Sequence, residues 1–166
     1  DMHGGAVSVS ADGAAISASG FDIQANAIGN YSSGPAGSAG TATGGTASVL
    51  ASNGGSITVD DKSGKALLSI AANGVGSSGP DPANAMGGSA TLEANDGTIS
   101  VLGDARLTAD GLPSIGLFGV QTGSGLAATG GTASALIDAG AAGTGAISAT
   151  NLIVEADGDA GSEMRG

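Results

Sequence analysis

The sequence predicts an all-β protein folded as a right-handed parallel β-helix, a β-solenoid of about four repeats of roughly 43 residues. Three observations support this prediction. A phrase that begins with paired glycines occurs four times, at Gly4, Gly44, Gly87 and Gly130, with spacings of 40, 43 and 43 residues. Short segments that alternate apolar and small polar residues follow each pair, and Asn-Gly or Asp-Gly dipeptides separate them. A period in this range is typical of chains that stack similar units.

Each repeat carries three segments in which apolar side chains alternate with Ser, Thr, Asp or Gln. Alternation over about four to six residues predicts a β-strand with one buried face. Stacking of successive repeats would align equivalent positions in ladders. The clearest predicted ladder lies in the second segment and consists of Ile16, Ile57, Ile99 and Ile147.

Glycine follows Asn or Asp where the predicted strands end. The dipeptides are Asp12-Gly13, Asn53-Gly54, Asp96-Gly97, Asn73-Gly74, Asp110-Gly111 and Asp157-Gly158. These residue types tolerate positive φ, so we predict turns at all six places. A meander of hairpins is the alternative, but the recurrence of the same corner in successive repeats favours stacked corners. No apolar stripe of helical period is visible, so no helix is predicted.

We interpret residues 1–166 as one solenoid segment with repeats at 4–43, 44–86, 87–129 and 130–166. Gly-, Ser-, Pro- and Ala-rich stretches predict loops between repeats. One coil per repeat fits the variable strand spacing better than two coils of about 21 residues, and both arrangements stay open. The ends of the chain resemble interior segments without a cap, which indicates either an excerpt of a longer chain or a subunit that its neighbours complete.

Composition limits the core. Glycine supplies 33 of the 166 residues, and the aromatic residues are Phe21, Tyr31 and Phe118. A large side chain contributes about 1.5–3 kcal/mol when buried, so a chain of small residues needs a thin core with extensive backbone hydrogen bonding. Disorder in isolation is the alternative for such a composition. The alternating apolar positions and the positive mean hydropathy of +0.24 oppose it.

Charge limits the partners. The chain carries 15 acidic and 4 basic residues, a net charge of −11. Nucleic acids and anionic membrane surfaces both require Lys and Arg, so we predict neither as a partner. No run reaches the ~18 apolar residues of a membrane span. Cysteine is absent, so the framework contains neither disulfides nor thiolate metal sites.

The repeat carries a family resemblance. The pattern GG-[TSA]-A-x-[VL]-x-A-x-x-G-x-I-x-V, followed by L-x-[IV]-x-A-[ND]-G and a Gly/Ser loop, is similar to the repeats of filamentous-haemagglutinin-like bacterial surface adhesins. These are secreted β-helix proteins of the two-partner and autotransporter type. The similarity runs from Gly4 to about Gly158 and concerns the style of the repeat. It implies an extracellular rod or filament at the bacterial cell surface, used for attachment, spacing or biofilm cohesion.

An enzyme on the same scaffold is the alternative of a different class, because many polysaccharide lyases are parallel β-helices. Such a site needs a base for proton abstraction and groups that hold sugar. The basic and imidazole side chains are His3, Lys62, Lys65, Arg106 and Arg165. Their places near the termini, at a turn and on the polar side of a strand indicate solvated residues. No Ser–His–Asp set or carboxylate pair at a defined spacing is present, so we predict no catalytic and no cofactor-binding residue.

The acidic residues are the candidates for metal ligands. The candidates are Glu155, Asp157 and Asp159 near the end of the sequence and Asp60 and Asp61 at a turn. They match neither the EF-hand pattern nor the aspartate-containing repeat that binds Ca²⁺ in toxin β-rolls. We predict a solvated acidic surface and no metal, with Ca²⁺ binding as the alternative.

The sequence thus predicts a structural and adhesive rod segment of a secreted bacterial surface fibre without catalysis. The first alternative is a subunit of an extracellular filament or biofilm matrix fibre that assembles end to end. The second is the polysaccharide-active enzyme. The predicted partners are a second copy or a continuation of the same chain, and a glycan or protein of a host or cell surface.

Overall fold

The computed structural model describes residues 1–29, 40–63, 65–76, 84–112, 128–139 and 144–158. This part of the chain is all-β, with 17 strands and no helix. Every pairing between these strands is parallel. The prediction of an all-β protein is therefore confirmed.

The strands recur in nearly the same order in each repeat, when each repeat is counted from the two-residue strand that precedes its glycine pair. The first repeat contains β1 (Met2–His3), β2 (Ala6–Asp12), β3 (Ala15–Ala18), β4 (Gly20–Gln24) and β5 (Ala27–Ile28). The second contains β6 (Ala42–Thr43), β7 (Thr46–Ser52), β8 (Ser56–Val59), β9 (Ala66–Ala71) and β10 (Gly74–Val75). The third contains β11 (Ala85–Met86), β12 (Ser89–Asn95), β13 (Thr98–Thr108) and β14 (Gly111–Leu112). The fourth contains β15 (Ala128–Thr129), β16 (Thr132–Asp138) and β17 (Ala146–Glu155).

Equivalent strands of successive repeats form four parallel sheets. Their orders are β1-β6-β11-β15, β2-β7-β12-β16, β5-β10-β14, and β3-β8-β13-β9-β4 with β17 beside β13. The last sheet contains the predicted second and third segments, which β13 and β17 join into one long strand. A register shift between Val101 and Asp104 marks where the two segments meet.

The register of the sheets follows the spacing of the glycine pairs. In the second sheet Ala6 pairs with Thr46, Thr46 with Ser89, and Ser89 with Thr132. These steps are 40, 43 and 43 residues, because each residue pairs with its equivalent in the next repeat. One repeat therefore adds one level to the stack.

The core occupies the middle of this stack. Burial alternates with period two along β7 and β12, which confirms the one-sided strands that the sequence predicts. Ile16 pairs with Ile57, Ile57 with Ile99, and Ile99 with Ile147. The two inner isoleucines are fully buried and the two outer ones are partly exposed. All of the largest fully buried side chains belong to the second and third repeats, namely Ile57, Leu68, Ile70, Leu92, Ile99, Leu107, Val49 and Val59.

The predicted turns divide into two groups. Asn53 and Asp96 have φ of 52° and 51°, and Gly13 and Gly54 have φ of 60° and 77°, so the corners after β2, β7 and β12 are confirmed. Positive φ is the reason that Asn, Asp and Gly are found there.

The other three predicted turns also lie where the chain passes from one sheet to the next, but they are made without positive φ. Asn73-Gly74 and Asp110-Gly111 lead into short strands that begin at the glycine, β10 and β14. Gly158 pairs in parallel with Gly111 as an isolated bridge. Glycine is required at Gly74 for a different reason, since a Cβ there would lie 2.0 Å from the carbonyl oxygen of Met86.

The second glycine of each pair permits close stacking. A Cβ added to Gly45 would lie 1.9 Å from the carbonyl oxygen of Gly5, and one added to Gly88 would lie 2.0 Å from that of Gly45. The same distance at Gly131, to Gly88, is 2.0 Å. These oxygens also accept backbone hydrogen bonds from the next repeat, as in Ser89 N–H to Gly45 at 2.9 Å. The repeated phrase therefore marks a place where a side chain would force successive levels apart.

Candidate functional site

Asp60 and Asp61 close the turn after β8. The Asp60 carboxylate accepts the backbone N–H of Lys62 at 2.8 Å. Asp61 accepts the backbone N–H of Ser63 at 2.9 Å and of Lys65 at 3.0 Å, together with the Ser63 hydroxyl at 2.6 Å. Lys62 has a φ of 59°, so the two carboxylates hold a backbone that is itself unfavourable for lysine. Their contacts explain the acidic pair as a turn motif.

Glu155 and Asp157 belong to the polar side of the stack. The Glu155 carboxylate forms an ion pair with Arg106 of the preceding repeat at 2.8 Å. The Asp157 backbone N–H donates to the Asp110 carboxylate at 3.0 Å. Asp159, the third candidate in this part of the sequence, lies outside the described residues. In the described ranges no group of three or more His, Cys, Asp or Glu side chains is arranged to hold a metal ion.

The basic residues have separate surroundings. The Arg106 and Glu155 side chains are 54% and 39% exposed, so their ion pair contributes little, about 0–1 kcal/mol. His3 lies in β1 beside Thr43, in a sheet other than the one that contains Arg106. Lys62 and Lys65 contribute backbone N–H groups to the turn after β8. None of these contacts joins a base to a second catalytic group, and the absence of catalysis stays a prediction.

Asn and Asp side chains form a ladder between levels at the corner before the third sheet. The Asn73 backbone N–H donates to the Asn26 side-chain oxygen at 2.8 Å, and the Asp110 N–H donates to that of Asn73 at 2.8 Å. The Asp157 N–H continues the series to Asp110. We call Asn26, Asn73, Asp110 and Asp157 the corner ladder. It satisfies partly buried backbone donors that the neighbouring strands do not reach.

Replacing Asn73 tests the corner ladder. We expect Asn73→Ala to lower the free energy of unfolding by about 1–3 kcal/mol, because the partly buried Asp110 N–H loses its acceptor. Urea denaturation followed by circular dichroism measures the change. Asp157→Ala is the matched control, since none of the described contacts involves its side chain and its expected change is below about 0.5 kcal/mol. Equal losses in the two variants would contradict the assignment.

Two further acidic residues are paired across levels. The Asp12 carboxylate accepts one hydrogen bond from the Asn53 side-chain amide at 2.6 Å and another from the Ser52 hydroxyl at 3.3 Å. Asp104 accepts the side-chain amide of Asn151 at 2.7 Å. Neutral amides beside carboxylates allow an acidic surface to stack without bringing like charges together.

The first and fourth repeats expose residues that are buried in the middle repeats. We call Val7, Val9, Ile16 and Phe21 the leading face and Ile137, Ile147, Leu152 and Val154 the trailing face. Their register partners in the second and third repeats are buried. By contrast Val7 is 41% exposed, Ile137 59% and Leu152 46%. These two faces are the strongest candidate for a functional surface in the described residues.

The described residues define an all-β protein of parallel sheets whose repeats stack in four levels. No helix in them is long and apolar enough to cross a membrane. Comparisons of this chain with protein-family models, with curated proteins and with solved structures find no match.

Sequence reasoning identified the glycine pairs and the isoleucine ladder but missed the corner ladder and the two-residue strands. Asn26 is followed by alanine, so it belongs to none of the Asn-Gly and Asp-Gly dipeptides that predict the turns. The signal that would have found it is alignment of the third segments, which places Asn26, Asn73, Asp110 and Asp157 three residues after an apolar strand position in every repeat.

Proposed function

We propose that this chain is a structural and adhesive rod segment of a secreted bacterial surface fibre, coiled as a right-handed parallel β-helix and without catalytic activity. The observation that carries the proposal is the register between repeats. Four repeats pair in parallel through equivalent strands, with each repeat one level further along the stack. A chain with this pattern grows in one direction, and its length increases by about 4.8 Å for each repeat.

Mechanical continuity comes from two kinds of contact between levels. Backbone hydrogen bonds join each level to the next along β2, β7, β12 and β16. Small or branched apolar side chains stack inside, as in the ladder of Ile57 and Ile99. Because each repeat contacts its neighbours in the same way, repeats can be added without a new core design.

The acidic surface suits a rod that must remain separate from its neighbours side by side. The net charge of −11 disfavours lateral association, and interlevel contacts such as Asp12 to Asn53 keep the carboxylates compatible with stacking. The charge therefore favours growth along the stack over lateral aggregation.

Adhesion is assigned to the segments that join the repeats. They begin after β5, β10 and β14, which are neighbours in one sheet, and end before β6, β11 and β15, which are neighbours in another. The ends of these joining sequences are therefore held at the same two sheets in every repeat. Segments that connect the elements of a rigid scaffold are where binding residues are most often found.

Microscopy of the native source tests the proposal. Antibodies raised against residues 1–166 are expected to label extended fibres outside the cell, and the native mass shows how many repeats each chain contributes. Label confined to compact particles inside the cell would contradict the proposal.

The enzyme alternative is tested on purified protein. We expect no release of reducing ends from a panel of acidic and neutral polysaccharides. Release of reducing ends that is lost in the Arg106→Ala variant would overturn the structural function. Arg106 is chosen because it is the basic side chain on the polar surface with a described contact between levels.

A further inference from the structure

Gly5 is a glycine that the isolated chain does not require. It stands in the first repeat where Gly45, Gly88 and Gly131 stand in the others. A Cβ at each of those three would lie 1.9–2.0 Å from the carbonyl oxygen of the preceding repeat. A Cβ at Gly5 would meet nothing within 4 Å, and its φ is not in the positive range. Glycine at this position is needed only when another level covers the leading face.

The trailing face of another copy could supply the level that covers the leading face, because its side chains have suitable sizes. Continuing the observed register past the fourth repeat places Ala133 against Val7 of a second copy and Ala135 against its Val9. Ile137 then stands against Ala11 of that copy. In each of these three pairs a small residue thus meets a larger one. Ile147 and Ile16 would extend the isoleucine ladder across the joint.

The backbone and the corner ladder fit in the same register. Inside the chain, Thr132 N–H donates to the Gly88 carbonyl at 2.8 Å, and Asn73 N–H donates to the Asn26 side chain at 2.8 Å. The next steps would be Ala6 N–H of the second copy to Gly131, and its Asn26 N–H to the Asp157 carboxylate. One register therefore aligns apolar, backbone and side-chain contacts together.

From these observations we propose that the leading face of one copy of this chain binds the trailing face of a second copy, head to tail, in the register set by the glycine pairs. The proposal rests on the proposed function, since it names the partner of the stack. A head-to-tail contact uses two different surfaces, so it leaves one of each free and continues into a filament.

Two features make the joint weaker than an internal level. Ala14 stands where Gly55 and Gly97 stand, and a Cβ at Gly55 would lie 2.1 Å from the carbonyl oxygen of Ala11. The Ala14 methyl group would therefore press on the equivalent Ile137 carbonyl of the other copy. The register also brings Asp138 opposite Asp12 of the second copy, and this repulsion is screened by salt. Assembly is accordingly reversible and promoted by salt.

Sedimentation velocity of the 166-residue chain tests the joint. The average mass of the wild type is expected to rise with concentration, and more steeply in about 0.5 M than in about 0.05 M NaCl. Gly5→Ala adds a methyl group that meets nothing within the chain but opposes the Gly131 carbonyl of the second copy. It should raise the concentration needed for assembly about tenfold or more, with the circular dichroism spectrum and melting curve retained. Ala14→Gly should lower that concentration.

Several outcomes would overturn this inference. They are a wild type that stays monomeric at all concentrations, assembly that Gly5→Ala leaves unchanged, and a native chain whose own further repeats cover both faces. Each of these is compatible with labelled extracellular fibres, so the inference can fail while the proposed function stands. Absence of slow amide exchange in β7 and β12 would show that the protein has no parallel stack. That result would contradict both the proposed function and the head-to-tail contact.

Discussion

Gly88→Ala is expected to abolish cooperative folding of the chain. The added Cβ would lie 2.0 Å from the carbonyl oxygen of Gly45 and 2.5 Å from the carbonyl carbon of Gly44. The Gly45 oxygen cannot move away cheaply, because it accepts the Ser89 N–H at 2.9 Å in the centre of the stack. We expect a loss of about 4 kcal/mol or more, a large part of the stability of an ordinary domain. Thermal and urea melts followed by circular dichroism measure it.

Gly5→Ala is the matched control at the equivalent position. Because the space around Gly5 is open, the free energy of unfolding of Gly5→Ala should differ from that of the wild type by no more than about 1 kcal/mol. The difference would come from the smaller conformational freedom of the unfolded chain or from the exposed strand itself. Melting is compared at low protein concentration, where contacts between copies do not contribute. A Gly88→Ala protein that melts like wild type would contradict the close approach of levels at the glycine pairs. Similar losses in both variants would show that the two positions are not distinguished by stacking.

Local pattern was sufficient to predict the strands of the alternating segments and their partners in the next repeat. Alternation in residues 46–52 and 89–95 is visible within each segment, and the spacing of the glycine pairs gives the pairing of Thr46 with Ser89 directly. A repeat sequence carries this long-range information because each residue pairs with its own equivalent. An ordinary domain would not reveal its register in this way.

Contacts between levels that lack a repeated residue type could not be predicted. Strands of two residues, such as β6 and β10, are too short to show a period. Asn73 precedes glycine, so the pattern predicts a turn and nothing more. Its side chain nevertheless accepts the Asp110 N–H of the next level, and its own N–H donates to the Asn26 side chain of the preceding level. Glu155 was considered as a metal ligand because its partner, Arg106, is 49 residues away in the sequence.

Ile57→Ala is expected to cost about 3 kcal/mol, within the range of isoleucine-to-alanine changes in a packed core. Ile57 is fully buried between Ile16 and Ile99, where the repeats on both sides limit how far the cavity can collapse. Ile147→Ala removes the same atoms from a partly exposed position on the trailing face. Its expected cost is about 1 kcal/mol, since much of its surface is already in contact with water. Urea denaturation of both variants at low concentration measures the difference.

The dependence of these two costs on concentration separates stability within the chain from stability between copies. If copies stack head to tail, Ile147 becomes an interior member of the ladder, so the cost of Ile147→Ala should approach that of Ile57→Ala as concentration and salt increase. The cost of Ile57→Ala should not change, because its neighbours belong to the same chain. A difference between the variants that stays constant from dilute to concentrated protein would contradict burial of the trailing face. Equal costs at the lowest concentration would contradict the exposed position of Ile147 itself.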